Sequence, residues 1–287
     1  MIDRRGILGG VACLAGAPAA AAAASPPVRR LYAASRHGQV HLRQSGAARV
    51  RPPLLCFHQV PNSSQVFAAV MPHLAAQRRV FAFDTPGYGM SDHAPDPQTI
   101  AAYAEGLGDA IASLGLSRRP VDLLGYHTGA AIAAELIHQR RVAARRVVLA
   151  AVPVFTAEER ARFGALAPIP FDEDGDWARE EWRRSWFWRG PGQTRESVLR
   201  TYGEKMRPGA RERGAAAIAA YDMAGALQGL AQPLMILRPR DDLWEATARA
   251  IALRPDARSL DLPDLGHGMW DVAPERLANL LESFLSA

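Results

Sequence analysis

The stretch LLGYHTGA, residues 123–130, decides the fold. An apolar run ends at Gly125, three residues intervene, and Gly129 opens the small-residue stretch of a helix, TGAAIAAELIHQ. Two glycines at that spacing, between a buried strand and a helix, read as a sharp turn. The turn lifts its central side chain, His127, into open space at the strand end, with the helix N-terminus beneath it. Gly129, Ala130 and Ala133 are small enough for the helix to pack closely on the strands. A helix N-terminus disfavours an imidazolium, so the sequence predicts a neutral His127.

Working outward, short apolar runs alternate with amphipathic stretches. Strands are predicted at 39–44, 53–59, 79–85, 121–126, 145–154, 233–239 and 258–263. Helices are predicted at 64–77, 98–115, 128–142, 244–254 and 274–286. The central strands are nearly continuous apolar runs, as in strands covered on both faces. This alternation predicts an α/β fold with a doubly wound, mostly parallel sheet. One gap breaks the rhythm. Residues 156–228 contain no good strand but carry Trp177, Trp182, Trp186 and Trp188. A structureless loop of that length is improbable inside a compact domain, so a helical insertion is expected there. The core is then 30–155 together with 229–287.

Four further features follow in order along the chain. FHQVP (57–61) leaves an apolar strand, and FDTPGYGMSD (83–92) ends the next one in a tight turn. Asp242 follows the LMILRP strand, and His267 follows the last strand in LGHGMW. The order nucleophile position, acid, histidine is that of hydrolases built around the turn G-x-S-x-G.

With these pieces the span from 39 to 286 resembles the α/β-hydrolase superfamily, in the branch with a helical cap between two late strands. HQVP stands for its His-Gly-x-Pro loop, GYHTG for its nucleophile turn, RPRDDLW for its acid and GHGMW for its histidine. The resemblance implies that Asp242 orients His267, that His267 is the general base, and that the backbone N–H groups of Val60 and Thr128 form an oxyanion hole. Asp241 is a rival to Asp242, and alignment of the turn favours Asp242. The cap would supply the substrate pocket, with its tryptophans as walls. Two departures matter: Gln59 stands where the family has glycine, and His127 stands where it has serine.

A histidine at that position leaves three readings open. It attacks an acyl carbon while His267 takes its proton. It acts with His267 as a base, without covalent attachment, in hydrolysis, C–C cleavage or a lyase reaction. Or the site is inactive and the pocket only binds a small molecule. Imidazole reaches further into the pocket than a hydroxymethyl group, which favours the non-covalent route. First choice is hydrolysis of a small, mostly apolar ester-like substrate. Thr128 does not replace the missing hydroxyl, because its backbone N–H is the useful group. Tyr88 and Tyr126 read as packing residues, and His58 as a structural hydrogen-bonding one.

Composition narrows the alternatives. The chain has 287 residues, 48% hydrophobic and 22% charged, with a net charge of +5. Lys205 is its single lysine. The arginines come in scattered pairs (Arg78-Arg79, Arg118-Arg119, Arg140-Arg141, Arg145-Arg146), which read as solvated surface and not as a nucleic-acid footprint. His37, His41, His73, His93 and His138 are dispersed without ligand spacing, so no metal site is predicted. Gly87-Tyr88-Gly89 lacks the rest of a dinucleotide fingerprint, so no cofactor is expected. Residues 1–25, with Arg4-Arg5, an apolar Ala-rich run and Ala22-Ala23-Ala24 before Ser25, read as a cleaved export signal of twin-arginine type leading to the periplasm. Cys13 lies in that segment, and Cys56 reads as a small buried hydrophobe. No mature segment approaches the length of a membrane span.

Overall fold

The computed structural model describes residues 26–48, 50–167 and 172–287. The export-signal segment 1–25 lies outside the described residues. Eight strands form one sheet: β1 (Arg29–Ser35), β2 (Gly38–Ser45), β3 (Leu54–Phe57), β4 (Val80–Phe83), β5 (Pro120–Tyr126), β6 (Ala143–Ala150), β7 (Leu234–Pro239) and β8 (Arg258–Leu262). Their order is β1-β2-β4-β3-β5-β6-β7-β8. β2 runs antiparallel to β1 and β4, and every pairing from β4 to β8 is parallel. The helices are α1 (Met71–Leu74), α2 (Ile100–Ser113), α3 (Thr128–His138), α4 (Ala157–Gly164), α5 (Asp176–Phe187), α6 (Arg195–Lys205), α7 (Ala210–Ala219), α8 (Met223–Gln228), α9 (Trp244–Leu253), α10 (Met269–Val272) and α11 (Pro274–Leu285).

The period of two explains the unbroken apolar runs. In β3, Leu55 and Phe57 enter the core that α2 and α3 cover, while Leu54 and Cys56 enter the core that α1 and α11 cover. β5, β6 and β7 divide their side chains the same way: Leu123, Val147 and Ile236 on one face, Leu124, Val148 and Met235 on the other. A parallel strand buried on both faces has no polar side to show. Cys56 is free and fully buried, and burial pushes its thiol up, out of reactive range.

Differences from the sequence reading have local causes. β1 is an edge strand whose pattern RRLYAAS is largely exposed, so it lacks the apolar signature. The stretch 64–77 forms a 3-10 turn, Ser64–Phe67, and then the four-residue α1, which carries a proline in its first turn. The five helices α4 to α8 occupy the insertion between β6 and β7.

The arginine pairs are not all surface. Arg78 is fully buried. Its guanidinium donates to Glu282 at 2.7 and 3.0 Å, to the carbonyl of Pro52 at 3.1 Å and to Asp122. It thus ties the loop before β4 to β5 and α11. Pairing of this kind is what permits a charge to be buried.

The loop after β4 is held by Asp84. Its carboxylate accepts from the N–H groups of Ser64 and Met90 and contacts Nδ1 of His41, each at 2.8 Å. Gly89 is required beside it, because a Cβ there would lie 2.0 Å from Asp84 Oδ2. Burial opposes the charge on Asp84, but the His41 contact, the nearby His58 and the two N–H donors win and lower its pKa to about 2. A folded-state pKa below the unfolded one stabilises the fold above the unfolded value and ceases to do so as pH falls through the folded one. Asp84→Asn should therefore cost about 2 kcal/mol at neutral pH. The loss of stability of the wild type between about pH 4 and pH 2 should shrink in the variant. Urea titrations of both proteins at pH 7, 4 and 2 measure this, and parallel pH profiles would refute it.

Candidate active site

The turn seen in the sequence is present. β5 runs into α3 through His127, whose φ of 52° and ψ of −118° are those of a strained elbow. The His127 N–H donates to Ala150 O at 3.0 Å, which fixes the turn against β6. The flanking glycines are steric necessities. A Cβ on Gly129 would lie 2.0 Å from Phe57 O, and one on Gly125 would lie 2.4 Å from Gly129 O. Both obstacles are backbone and cannot swing away. Gly129→Ala should cost about 1–3 kcal/mol, read as a lower urea midpoint. Wild-type stability in that variant would mean that α3 is not seated against β3 as described.

Three chain ends meet at the elbow. The segment after β7 brings Asp241 and Asp242, and the segment after β8 brings His267. His127 Nε2 contacts Asp241 Oδ2 at 2.9 Å, and His267 Nε2 lies 2.9 Å from Asp242 Oδ1. The two imidazole rings are 5.3 Å apart, tilted at 35°. So Asp242 stands beside His267, the partnership carried over from the family. Asp241, read as its rival, serves the elbow histidine instead. The Asp241 side chain is wholly buried and accepts a further hydrogen bond from the Leu243 N–H at 2.9 Å. The Asp242 side chain is one-third exposed and lines the cavity.

This arrangement reverses the direction expected for the His127 pKa. Burial lowers its pKa, but the charge and hydrogen bond of Asp241, with the charge of Asp242, outweigh burial and raise it. One carboxylate in contact and a second nearby act more strongly than the partial charge of a helix end. Asp242 is held well below the usual carboxylate range: burial opposes this, and the His267 contact and the charge on His127 prevail. One ligand atom from each of His127, Asp241, Asp242 and His267 falls within 4.8 Å of the others. Two imidazole nitrogens and two carboxylate oxygens form a donor set that suits a divalent transition metal.

Aromatic rings frame the four groups. Tyr126 meets His127 edge-on at 4.5 Å, and Trp188 meets His267 edge-on at 6.2 Å. The cluster opens on a cavity of about 310 Å³ that is also lined by Val60, Thr128, Phe155, Leu166 and Ile218. Of the insertion's tryptophans, Trp188 lines this cavity, while Trp182 and Trp186 stack on each other at 5.9 Å. Two of the cations that line the cavity are engaged locally: Lys205 donates to Ser185 at 3.0 Å, and Arg184 lies 3.7 Å from Glu181. Among the described residues, neither the Val60 nor the Thr128 N–H donates to another protein group. Both residues line the cavity beside His127 and His267.

The remaining polar residues near the site are structural. His58 is buried, its Nδ1 on Gln59 O at 2.8 Å and its Nε2 accepting from the Thr85 N–H at 2.9 Å, and burial lowers its pKa. Tyr88 donates to Ala210 O at 2.8 Å and so ties the loop after β4 to the helical insertion. Asp241 is the site residue whose contact the sequence reading missed. The only available signal was the doubled acid in RPRDDLW.

Comparison with known proteins agrees with this fold. Residues 52–168 match the family described as alpha/beta hydrolase fold. The chain is 28% identical over 123 residues, or 43% of its length, to the uncharacterized protein Rv2715 of Mycobacterium tuberculosis, of which the match spans 35%. It is 28% identical over 257 residues to the pimeloyl-[acyl-carrier protein] methyl ester esterase of Aromatoleum aromaticum, covering 81% of this chain and 97% of that one. Among solved structures, the esterase EaEST of Exiguobacterium antarcticum superposes with a TM-score of 0.74 at 18% identity, over 89% of this chain and 99% of that one. Among the described residues, no helix is long and apolar enough to cross a membrane.

Proposed function

We propose that this chain, which belongs to the α/β-hydrolase superfamily, hydrolyses a small, mostly apolar ester-like substrate by activating water at the elbow cluster. The observation that carries the reading is the 2.9 Å contact between His127 Nε2 and Asp241. The ring atom that would attack an acyl carbon is committed to a carboxylate. Nδ1 is left to carry the lone pair, and the reach of the imidazole into the pocket favours its taking a water proton over covalent attack. The methyl ester esterase among its relatives supports the reaction class, and the apolar side chains of Val60, Phe155, Leu166, Trp188 and Ile218 in the cavity wall support the substrate class.

The steps follow from the groups present. The ester carbonyl oxygen accepts from the free N–H groups of Val60 and Thr128, which stabilise the developing oxyanion. A water held between His127 and His267 gives one proton to the cluster, and its oxygen bonds to the acyl carbon. The C–O bond to the alcohol breaks, and the cluster returns the proton to the leaving alkoxide. Asp242 orients His267 and Asp241 orients His127. The helices from α4 to α8 act as a cap over the cavity, and residues 1–25 direct export to the periplasm.

The test is a panel of p-nitrophenyl and methyl esters with acyl chains of two to ten carbons, with melting temperatures measured on the same compounds. Expected is turnover that rises with acyl length until the cavity is full. If no ester turns over while a compound raises the melting temperature, the site is a binding pocket. Cleavage of a C–C bond with every ester inert would transfer the cluster to lyase or C–C hydrolase chemistry.

A further inference from the structure

We infer that His127, Asp241, Asp242 and His267 together bind one divalent transition-metal ion. This rests on the reading above that the cluster activates water; with an ion bound, the four side chains would hold it and the ion, in place of an imidazole, would acidify the water.

Four donors from three separate segments, the elbow, the end of β7 and the end of β8, bring one ligand atom each within 4.8 Å of the others. Between partners at an ordinary hydrolase site, the histidine bridges acid and elbow side chain. Here the elbow residue and His267 do not bridge. Each turns Nε2 to its own carboxylate at 2.9 Å. The carboxylates belong to consecutive residues, and among the described residues neither has an arginine or lysine within 4.0 Å. Two carboxylates side by side, with imidazoles as their side-chain partners among the described residues and the Leu243 N–H as a further donor to Asp241, are a setting that a dication neutralises.

The spacing also narrows the geometry. Ligands about 2.1 Å from an ion stand about 3.0 Å apart at right angles and about 3.4 Å apart at the tetrahedral angle. The observed 2.9 Å pairs match right angles. An opposed pair would stand about 4.2 Å apart, inside the 4.8 Å within which all four ligand atoms lie. Mixed nitrogen and oxygen donors favour Mn²⁺, Fe²⁺, Co²⁺ or Zn²⁺ over Mg²⁺ and Ca²⁺. Four protein ligands at right angles leave two positions, and the cavity lies on the open side. The Leu243 N–H on Asp241 and the ring of Tyr126 against His127 hold the ligands, as supporting contacts do at metal centres. A water on such an ion loses a proton near neutral pH, which is the activation that hydrolysis requires.

The full chain is treated with EDTA, dialysed, and titrated separately with Mn²⁺ and Zn²⁺ by calorimetry. Metal retained after gel filtration is measured by elemental analysis. Expected is one ion per chain and a melting temperature raised by several degrees. Asp241→Asn and Asp242→Asn should each weaken binding at least 100-fold, while the exposed His73→Ala should bind like wild type. Asp242 is exposed enough for its variant to fold even if the Asp241 variant does not. No stoichiometric uptake by folded wild type, or full binding by the Asp242 variant, overturns the inference. Ester hydrolysis by the EDTA-treated chain at the untreated rate removes the ion and leaves the hydrolase. A bound ion with no ester turned over leaves the ion and removes the hydrolase.

Discussion

His127→Ala lowers kcat/KM for ester hydrolysis by about 10²–10⁴-fold, the range for removing a positioned acid–base group. The loss falls on kcat, because the side chain acts on water rather than on the body of the substrate. His267→Ala behaves alike, and the double variant is little worse than either single one, since the two act as a unit. Removing His127 also leaves the wholly buried Asp241 carboxylate without its ring partner. His127→Gln controls for this: its amide can still donate to Asp241, but it cannot take a proton. If the glutamine variant retains wild-type turnover with an intact fold, the elbow histidine has no chemical role. His127→Ser probes the oxyanion pair. An acyl adduct on that serine would show that the Val60 and Thr128 N–H groups are placed to support attack.

Arg78→Met destabilises the fold by about 3–5 kcal/mol, the cost of removing one partner of a buried ion pair. The side chain is fully buried, and its guanidinium spans β5 and α11 through Asp122 and Glu282. Methionine fills much of the volume but leaves both carboxylates short of a donor. Arg145 remains on Asp122 at 2.8 Å and Arg51 on Glu282 at 2.8 Å, which favours the lower end of the range. Adding Asp122→Asn to Arg78→Met should recover part of the loss, because it removes the stranded charge. Urea midpoints of the single and double variants decide this. A single-variant change under about 1 kcal/mol would show that the network contributes no more than an exposed pair does.

How far the sequence could be read follows the physics of each element. β3 and β5 to β7 were legible because burial on both faces leaves unbroken apolar runs between breakers. β1 was not, since an exposed edge strand needs no such pattern. The elbow was legible from its glycines, whose spacing is enforced by backbone contacts. The adjacency of His267 and Asp242 was legible in their order after late strands. The partner of His127 was hidden because a contact between residues 127 and 241 leaves no periodic trace. The same blindness turned Arg78 into surface and gave the His127 pKa the wrong direction: in both, the deciding carboxylates are remote in sequence. A charge pattern reports composition along the chain, whereas protonation and burial are set by neighbours in space.

The central claim is that water attacks the substrate directly at a histidine elbow. Intact-mass spectrometry of the enzyme, acid-quenched while an ester is being consumed, tests it most directly. The account predicts an unmodified chain mass at every time point as acid product accumulates. A transient acyl adduct mapping to His127 would contradict it.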